Sequence, residues 1–303
     1  MMRESPRFGR VLEEGLADAP RPGTTRLAAV QMDTTIGETE KNLAACVEAI
    51  EASASARAGL VAFPECALTG YCFRDPEEAR AAAIDPGGPV IRRLVEASAD
   101  HGLRTVVGYL ERTATGVANA ASLVGPRGVE AHYRKTHLPH LGADRWTEPG
   151  CAPFTVHEAG NLRVGMLICY DASFPEATRL LALGGADLVL LPTNWPAEAM
   201  LKAQFLPNAR AYENVIYFAS VNRVGEERGY RFHGGSRVCG PEGDVLAEGP
   251  LNAEAILVCD VDPARARAKR IERRKGEYWI DRIAQRREDL YRLLAGKGEP
   301  PER

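Results

Sequence analysis

The chain has 303 residues, 45% apolar and 26% charged, and 38 basic against 41 acidic side chains leave a formal net charge of −3. That apolar content supports a folded core and excludes a disordered chain, while the near balance of charge excludes a protein built to coat nucleic acid or an anionic membrane. No apolar run approaches the ~20 residues that span a bilayer, and the amino-terminal stretch lacks a signal peptide's apolar centre, so a cytosolic protein is expected.

Residues 1 to about 24, with Pro20, Pro22 and Gly23 at their end, show no sustained periodicity and read as a surface arm closing in a turn. A β-α-β rhythm then begins: a strand at 27–32, a helix with Leu43, Val47 and Ile50 on one face, and a strand at 60–64. It continues with a helix at 90–99, strand-like runs at 104–110, 121–124 and 162–169, a helix at 177–183 and a strand at 187–192. Further strands are expected at 215–221, 236–240 (followed by a turn at 241–244) and 255–261. Several of these runs are continuous rather than alternating, as in strands covered on both faces, so a layered α/β core is expected. The arginine-rich segment from Pro263 onward reads as helix or irregular tail, with Trp279, Ile283 and Leu290 spaced to pack on the body or on a partner subunit. The expected organisation is therefore an arm at 1–24, one large domain at 25–295 whose tail starts near 263, and a terminal stretch at 296–303. Residues 60–65 and 188–193 echo each other as buried-type strands broken by Pro before polar residues. Two such strands could end side by side, although shared strand-Pro punctuation explains the likeness equally well.

Three segments place a reactive side chain directly after an apolar run: Glu65, Lys135 and Cys169. Strand ends in α/β sheets open onto the crevice that holds ligands. Each residue alone has an ordinary reading, as a surface acid, a solvated cation and an inert core thiol. Together they supply covalent acyl transfer: a thiol nucleophile, a carboxylate to take its proton, and an ammonium to face a developing oxyanion. The backbone N–H of Tyr170, at a strand-to-helix turn, is a candidate second oxyanion donor. Seven cysteines at irregular spacing, odd in number and without a CxxC pair, form neither a disulfide framework nor the commonest zinc pattern. His132, His137 and His140 lie close together without a standard metal-ligand spacing, so no metal site is expected, and the basic run at 265–275 reads as a solvated tail or subunit contact rather than a nucleic-acid surface.

On these residues the sequence resembles the nitrilase superfamily of carbon-nitrogen hydrolases. The motifs are Phe63-Pro64-Glu65, then Tyr133-Arg134-Lys135-Thr136-His137-Leu138-Pro139, then Ile168-Cys169-Tyr170-Asp171 with Phe174-Pro175-Glu176 and Arg179. Arg210, Glu213-Asn214, Asn222-Arg223, Gly235-Ser236 and the turn Pro241-Glu242-Gly243 look like the family's later signature. The resemblance implies a four-layer α-β-β-α sandwich that forms a homodimer or larger homo-oligomer, works without a cofactor, and uses Glu65 as general base, Lys135 as oxyanion stabiliser and Cys169 as nucleophile.

Many relatives carry a second acid after the lysine motif. Here the segment is shorter, and Asp144 is favoured over Glu148 for that place, with a solvated loop acid as the other reading. By position at strand ends and by resemblance, Tyr71, Asn194 and Trp195 are candidates for the substrate pocket wall, Trp195 being equally well a core residue. Cys-Tyr-Asp looks like the amidase and carbamoylase branches more than the Cys-Trp-Glu of true nitrilases. An arginine that clamps substrate carboxylates in some relatives is replaced by Ala172 and Ser173. The expected function is hydrolysis of a small linear amide or N-carbamoyl compound through a cysteine thioester, with release of ammonia. The alternatives are a nitrilase, an acyl-transferring member, or a binding protein on the same fold.

Overall fold

The computed structural model describes residues 7–8, 11–12, 16–291 and 294. The chain divides into two compact units, 1–267 and 268–303. The first holds strands β1 (Val11–Leu12), β2 (Thr25–Gln31), β3 (Leu60–Ala62), β4 (Arg104–Arg112), β5 (Val117–Gly125), β6 (Gly128–Arg134), β7 (Val156–Ala159), β8 (Leu162–Met166), β9 (Leu188–Thr193), β10 (Tyr217–Asn222), β11 (Val224–Glu227), β12 (Tyr230–His233), β13 (Arg237–Cys239), β14 (Val245–Glu248) and β15 (Ala255–Val261). Its helices are α1 (Thr39–Ser55), α2 (Pro76–Ala82), α3 (Pro89–Asp100), α4 (Pro175–Leu183), α5 (Met200–Asn214) and α6 (Pro263–Arg267).

Two mixed sheets form the centre, one in the order β1-β15-β2-β3-β4-β5-β6 and the other β14-β13-β10-β9-β8-β7. The strand sequences show why both faces are covered. In β2, Leu27 and Ala29 join the core shared with the second sheet, whereas Ala28 and Val30 join the core under α1 and α3; in β15, Leu257 and Cys259 face the first way and Ile256 and Val258 the second. Successive side chains point to opposite faces, so a strand apolar at every position must have a layer on each side. Helices α4 and α5 cover the far face of the second sheet through Leu181, Ala203 and Ala211. The result is the four-layer α-β-β-α sandwich.

Two sequence expectations need correction. The amino-terminal arm is not wholly a surface segment: Val11–Leu12 pairs in parallel with Ile256 and Leu257 at the sheet edge, and Phe8 and Val11 are buried in the core beneath α1. A two-residue strand is too short to leave a periodicity. The tail beyond α6 is not wholly helix or irregular: the second unit contains an antiparallel ribbon, β16 (Arg270–Arg274) and β17 (Tyr278–Asp281), with the Arg270 guanidinium over the Trp279 ring, and turns with a short 3-10 helix at Glu288–Leu290 follow it. Trp279 and Leu290 are exposed. The stretch 296–303 lies outside the described residues.

The fold brings the loop after β3 against the end of β9, from the opposite sheet: the Asn194 N–H donates to Glu65 Oε2 at 2.9 Å. The two echoing strands thus end face to face across the sandwich. Gly108 of β4 lets the Glu65 loop lie close, because a Cβ there would stand 2.6 Å from the Pro64 carbonyl oxygen and 2.8 Å from the Glu65 Cα. Gly108→Ala is therefore expected to destabilise the protein by about 1–3 kcal/mol. Chemical denaturation checks this, and an unchanged midpoint would show that the loop yields freely.

Candidate active site

Glu65 leaves β3 through Phe63, whose N–H is held by Val106 O at 2.9 Å, and Cys66 behind it takes a left-handed φ of 50° that turns the chain away. Lys135 follows β6. Its N–H donates to Asn119 O on β5, and its carbonyl accepts from Gly150, each at 2.8 Å, so the backbone is fixed on both sides of the side chain. The fully buried ammonium donates to Glu65 Oε1 at 2.7 Å and to Asp144 Oδ2 at 2.5 Å. Asn119 closes the group by donating one amide to both carboxylates, at 2.7 Å to Glu65 and 2.8 Å to Asp144.

Burial raises the Glu65 pKa, and the Asp144 charge adds to the rise, while Lys135 opposes it. Burial alone would pull the Lys135 ammonium down, but Asp144, Glu65 and Cys169 together hold it well above its ordinary value. Lys135 therefore stays charged, and Glu65 becomes a stronger base than a solvated carboxylate. A buried charge of this kind persists only when paired and hydrogen-bonded.

Cys169 begins a 3-10 turn (Cys169–Ser173) after β8, with a left-handed φ of 47° unusual for a residue bearing a Cβ. Asp171 closes that turn by accepting from Ile168 N at 2.9 Å. The same carboxylate accepts from the Tyr133 hydroxyl at 2.8 Å and from the His137 backbone N–H at 2.9 Å, with His137 Nδ1 at 2.8 Å. One buried side chain thus ties the cysteine motif to the lysine motif. The thiol pKa is pushed up to about 12, first by burial and then by Glu65, against the pull of Lys135, the Thr193 hydroxyl and the Asn194 N–H.

The structure gathers Glu65, Lys135, Cys169 and Asp144 at one place. Glu148 is elsewhere, accepting from Thr113 and Thr115. Tyr71, expected on the pocket wall, commits its hydroxyl to Asp144 Oδ2 at 2.8 Å and Leu141 O at 2.9 Å. Asn194 serves the site through its backbone N–H, and its buried side-chain amide has no hydrogen-bond partner among the described residues. Trp195 is buried in the large apolar core, its backbone N–H held by Asn222 Oδ1 at 2.9 Å. Tyr170 lies in the first turn after Cys169, its ring edge-on to Phe174. His137 stacks on Phe174 and His132 faces Glu111.

Sequence reasoning missed Asn119. The signal for Asn119 was an amide inside the apolar run 117–125, since a buried amide must find partners. Cys66 is buried, and its Sγ lies 3.7 Å from Asn119 Oδ1.

Comparison with known proteins identifies the family. A family model, carbon-nitrogen hydrolase, matches residues 26–271. A nitrilase of Pyrococcus abyssi is 37% identical over 250 residues, covering 81% of this chain and 93% of that protein. An (R)-stereoselective amidase of a Pseudomonas species is 34% identical over 263 residues, 85% of this chain and 91% of that protein. Among solved structures, a variant of a Nesterenkonia AN1 amidase from the nitrilase superfamily has a TM-score of 0.77 at 28% identity, covering 91% of this chain and 99% of that one. In another variant of that amidase, the acetamide moiety of fluoroacetamide is covalently added at the active site cysteine.

With the thiol pushed up to about 12, Cys169 is expected to be neutral at rest. The ultraviolet titration of the wild type minus that of Cys169→Ala should show no thiolate step between pH ~6 and ~9. A step below pH ~8 would mean a pre-ionised nucleophile.

Proposed function

The chain belongs to the carbon-nitrogen hydrolase family, and on that premise we propose that it hydrolyses a small linear amide or N-carbamoyl compound with Glu65 as base, Lys135 as oxyanion donor and Cys169 as nucleophile. The observation that carries this reading is the Lys135 ammonium bonded to Glu65 at 2.7 Å, with the Cys169 thiol in the field of both.

The Cys169 proton passes to Glu65 as Sγ bonds to the substrate carbonyl carbon. Negative charge then grows on the carbonyl oxygen, facing the Lys135 ammonium and the Tyr170 N–H, and one good donor there contributes roughly 3 kcal/mol. Collapse breaks the C–N bond, and the leaving nitrogen takes the proton from Glu65. Water gives a proton to Glu65 as its oxygen attacks the thioester. The acid product departs and the sulfur recovers its proton. In this scheme Asp144, Asn119 and Tyr71 take no part in bond making or proton transfer: Asp144 bonds to Lys135, Asn119 to Glu65 and Tyr71 to Asp144, and together they hold Lys135 and Glu65 in place. Asn194, whose backbone N–H meets Glu65, has a buried side-chain amide without a partner among the described residues, and such an amide carries both the donor and the acceptor that a substrate amide needs, which supports an amide over a nitrile. The relative from Pyrococcus abyssi, named a nitrilase, favours the second reading, in which the same thiol attacks a nitrile carbon. Product analysis on an amide and nitrile of the same acyl group separates the two, and added amine exposes acyl transfer.

A homo-oligomer is part of this proposal. Leu180 and Leu183 on α4, with Leu201, Phe205 and Tyr212 on α5, are exposed apolar side chains of the kind a second copy would cover. Sedimentation should give a mass above that of one chain. Cytosolic residence is supported by seven free cysteines, and no helix among the described residues is long and apolar enough to cross a membrane.

Ammonia release from the best amide in a screen should vanish in Cys169→Ala and fall by about 10²–10⁴ in Glu65→Gln. Because the Glu65 pKa is raised, the acid limb of kcat/KM should lie above the ordinary carboxylate range, with activity lost as Glu65 is protonated on going down in pH. Retained turnover in a folded Cys169→Ala would overturn the mechanism.

A further inference from the structure

The ribbon formed by β11 and β12 belongs to neither large sheet, yet it brings two buried charges to the loop that carries Tyr71. Arg223, just before β11, is among the largest fully buried side chains of the described residues, and it pairs with Glu227 at the end of β11. Its guanidinium also donates to Asp33 Oδ1 at 2.9 Å and Thr34 O at 2.8 Å and lies over the Phe232 ring. Such a pair gains little over apolar packing by itself, so its use must be sought in what it holds.

Glu227 Oε1 accepts from two successive backbone amides, Tyr71 N at 2.8 Å and Cys72 N at 2.5 Å. The next residue, Arg228, donates to Cys72 O at 3.1 Å, and Phe232 packs in one small cluster with Tyr71 and Phe73. The Tyr71 loop is therefore gripped at its N–H groups, at a carbonyl and at its rings. Tyr71 in turn grips the turn that carries Asp144. Its hydroxyl donates to Leu141 O and Asp144 Oδ2, its carbonyl accepts from Ala143 N at 2.8 Å, and its ring lies so close to Gly142 that a Cβ there would fall 2.4 Å from it.

We propose that Glu227, held by Arg223, is a positioning residue for the reaction, setting the Lys135 ammonium through the Tyr71 loop and Asp144. The inference rests on the proposed roles of Lys135 and Cys169. The groups that face Lys135 are Glu65 from the loop after β3, Asp144 from the turn at 142–145, Cys169 from the turn after β8, and the Tyr71 ring at 5.9 Å. Of these, the ribbon holds the Tyr71 ring directly and, through the Tyr71 hydroxyl, Asp144. When the ribbon's hold is weakened, Asp144 moves off, burial of Lys135 is less fully opposed, and the ammonium gives up its proton at a lower pH.

The test compares wild type, Glu227→Gln, Glu227→Asp, Tyr71→Phe and the double variant Tyr71→Phe/Glu227→Gln, with Glu226→Gln on the exposed side of the same strand as control. Cys169→Ala fixes the baseline: turnover that survives it faults the reading of the site, whereas turnover lost there but untouched by Glu227 faults only the positioning claim. The expected result for Glu227→Gln is a kcat lower by about 10- to 100-fold with KM within ~3-fold, and an alkaline limb of kcat moved to lower pH. Glu227→Asp keeps the charge against Arg223 and withdraws the oxygen from the two amides, so it should shift in the same direction by less. The double variant should lose less than the product of the single losses, because both substitutions act on one chain of contacts. The proposal is overturned if a folded Glu227→Gln or Glu227→Asp keeps kcat within ~2-fold and the same alkaline limb, whatever its melting temperature. Should neither fold, an alkaline limb unmoved in Tyr71→Phe overturns it equally.

Discussion

One buried ammonium shared by two carboxylates is the constraint on which the rest of the site depends. Lys135 lies among groups that would be expensive to bury singly, and it makes them tolerable by bonding to Glu65 and Asp144 at once. Removing one partner of such a set leaves an uncompensated charge that typically costs about 3–5 kcal/mol. The three residues come from separate segments, so the set also fixes where those segments lie. Asn119 adds the geometry a point charge lacks: a single amide bonded to both acids holds their oxygens at a set separation. The surrounding architecture, from the Lys135 backbone contacts to the Tyr71 hydroxyl, keeps this one cation from moving.

The same charge set explains why the nucleophile is a neutral thiol. Two carboxylates against one ammonium already leave a net negative charge, and ionising Cys169 beforehand would add another in a buried site. Burial and Glu65 accordingly hold the thiol far above neutrality. The cost is avoided if ionisation occurs only as the sulfur bonds to carbon, because the charge then moves to the carbonyl oxygen in front of Lys135. A base with a raised pKa suits that concerted step, since it takes the thiol proton more readily than a solvated carboxylate and returns it to the leaving nitrogen.

The legible parts of the sequence were those where the chemistry follows a strand. Glu65 and Cys169 each stand at the end of an apolar run and Lys135 at the end of a strand, and the alternation of β2 and β15 between two cores was implicit in their unbroken hydrophobicity. Asp144 could be placed only as a choice against Glu148, because a loop has no period to register it. Asn119 was hidden for the opposite reason: a polar residue inside a strand breaks the pattern without saying what it meets. Helix α5 escaped notice because Pro207 lies inside it, and proline normally ends a helix. The strand at Val11–Leu12 and the ribbon of Arg270–Arg274 with Tyr278–Asp281 were lost to shortness and to an arginine-rich composition that signals solvent rather than pairing.

Because β3 and β9 end face to face from opposite sheets, the site is made by the packing between sheets and belongs to neither alone. The Asn194 N–H meets Glu65 only while the second sheet keeps its distance from the first, and that distance is set by Leu27, Ala62, Val106, Leu190 and their neighbours in the shared core. Two residues of positive φ, Cys66 and Cys169, stand just after Glu65 and at the nucleophile itself, one on each side of that gap. Such conformations cost of order 1–3 kcal/mol and persist only when their surroundings over-determine them. Here Asp171 holds the second and the close approach at Gly108 hems in the first, so the apolar core beneath is what keeps the sulfur and the carboxylate in register.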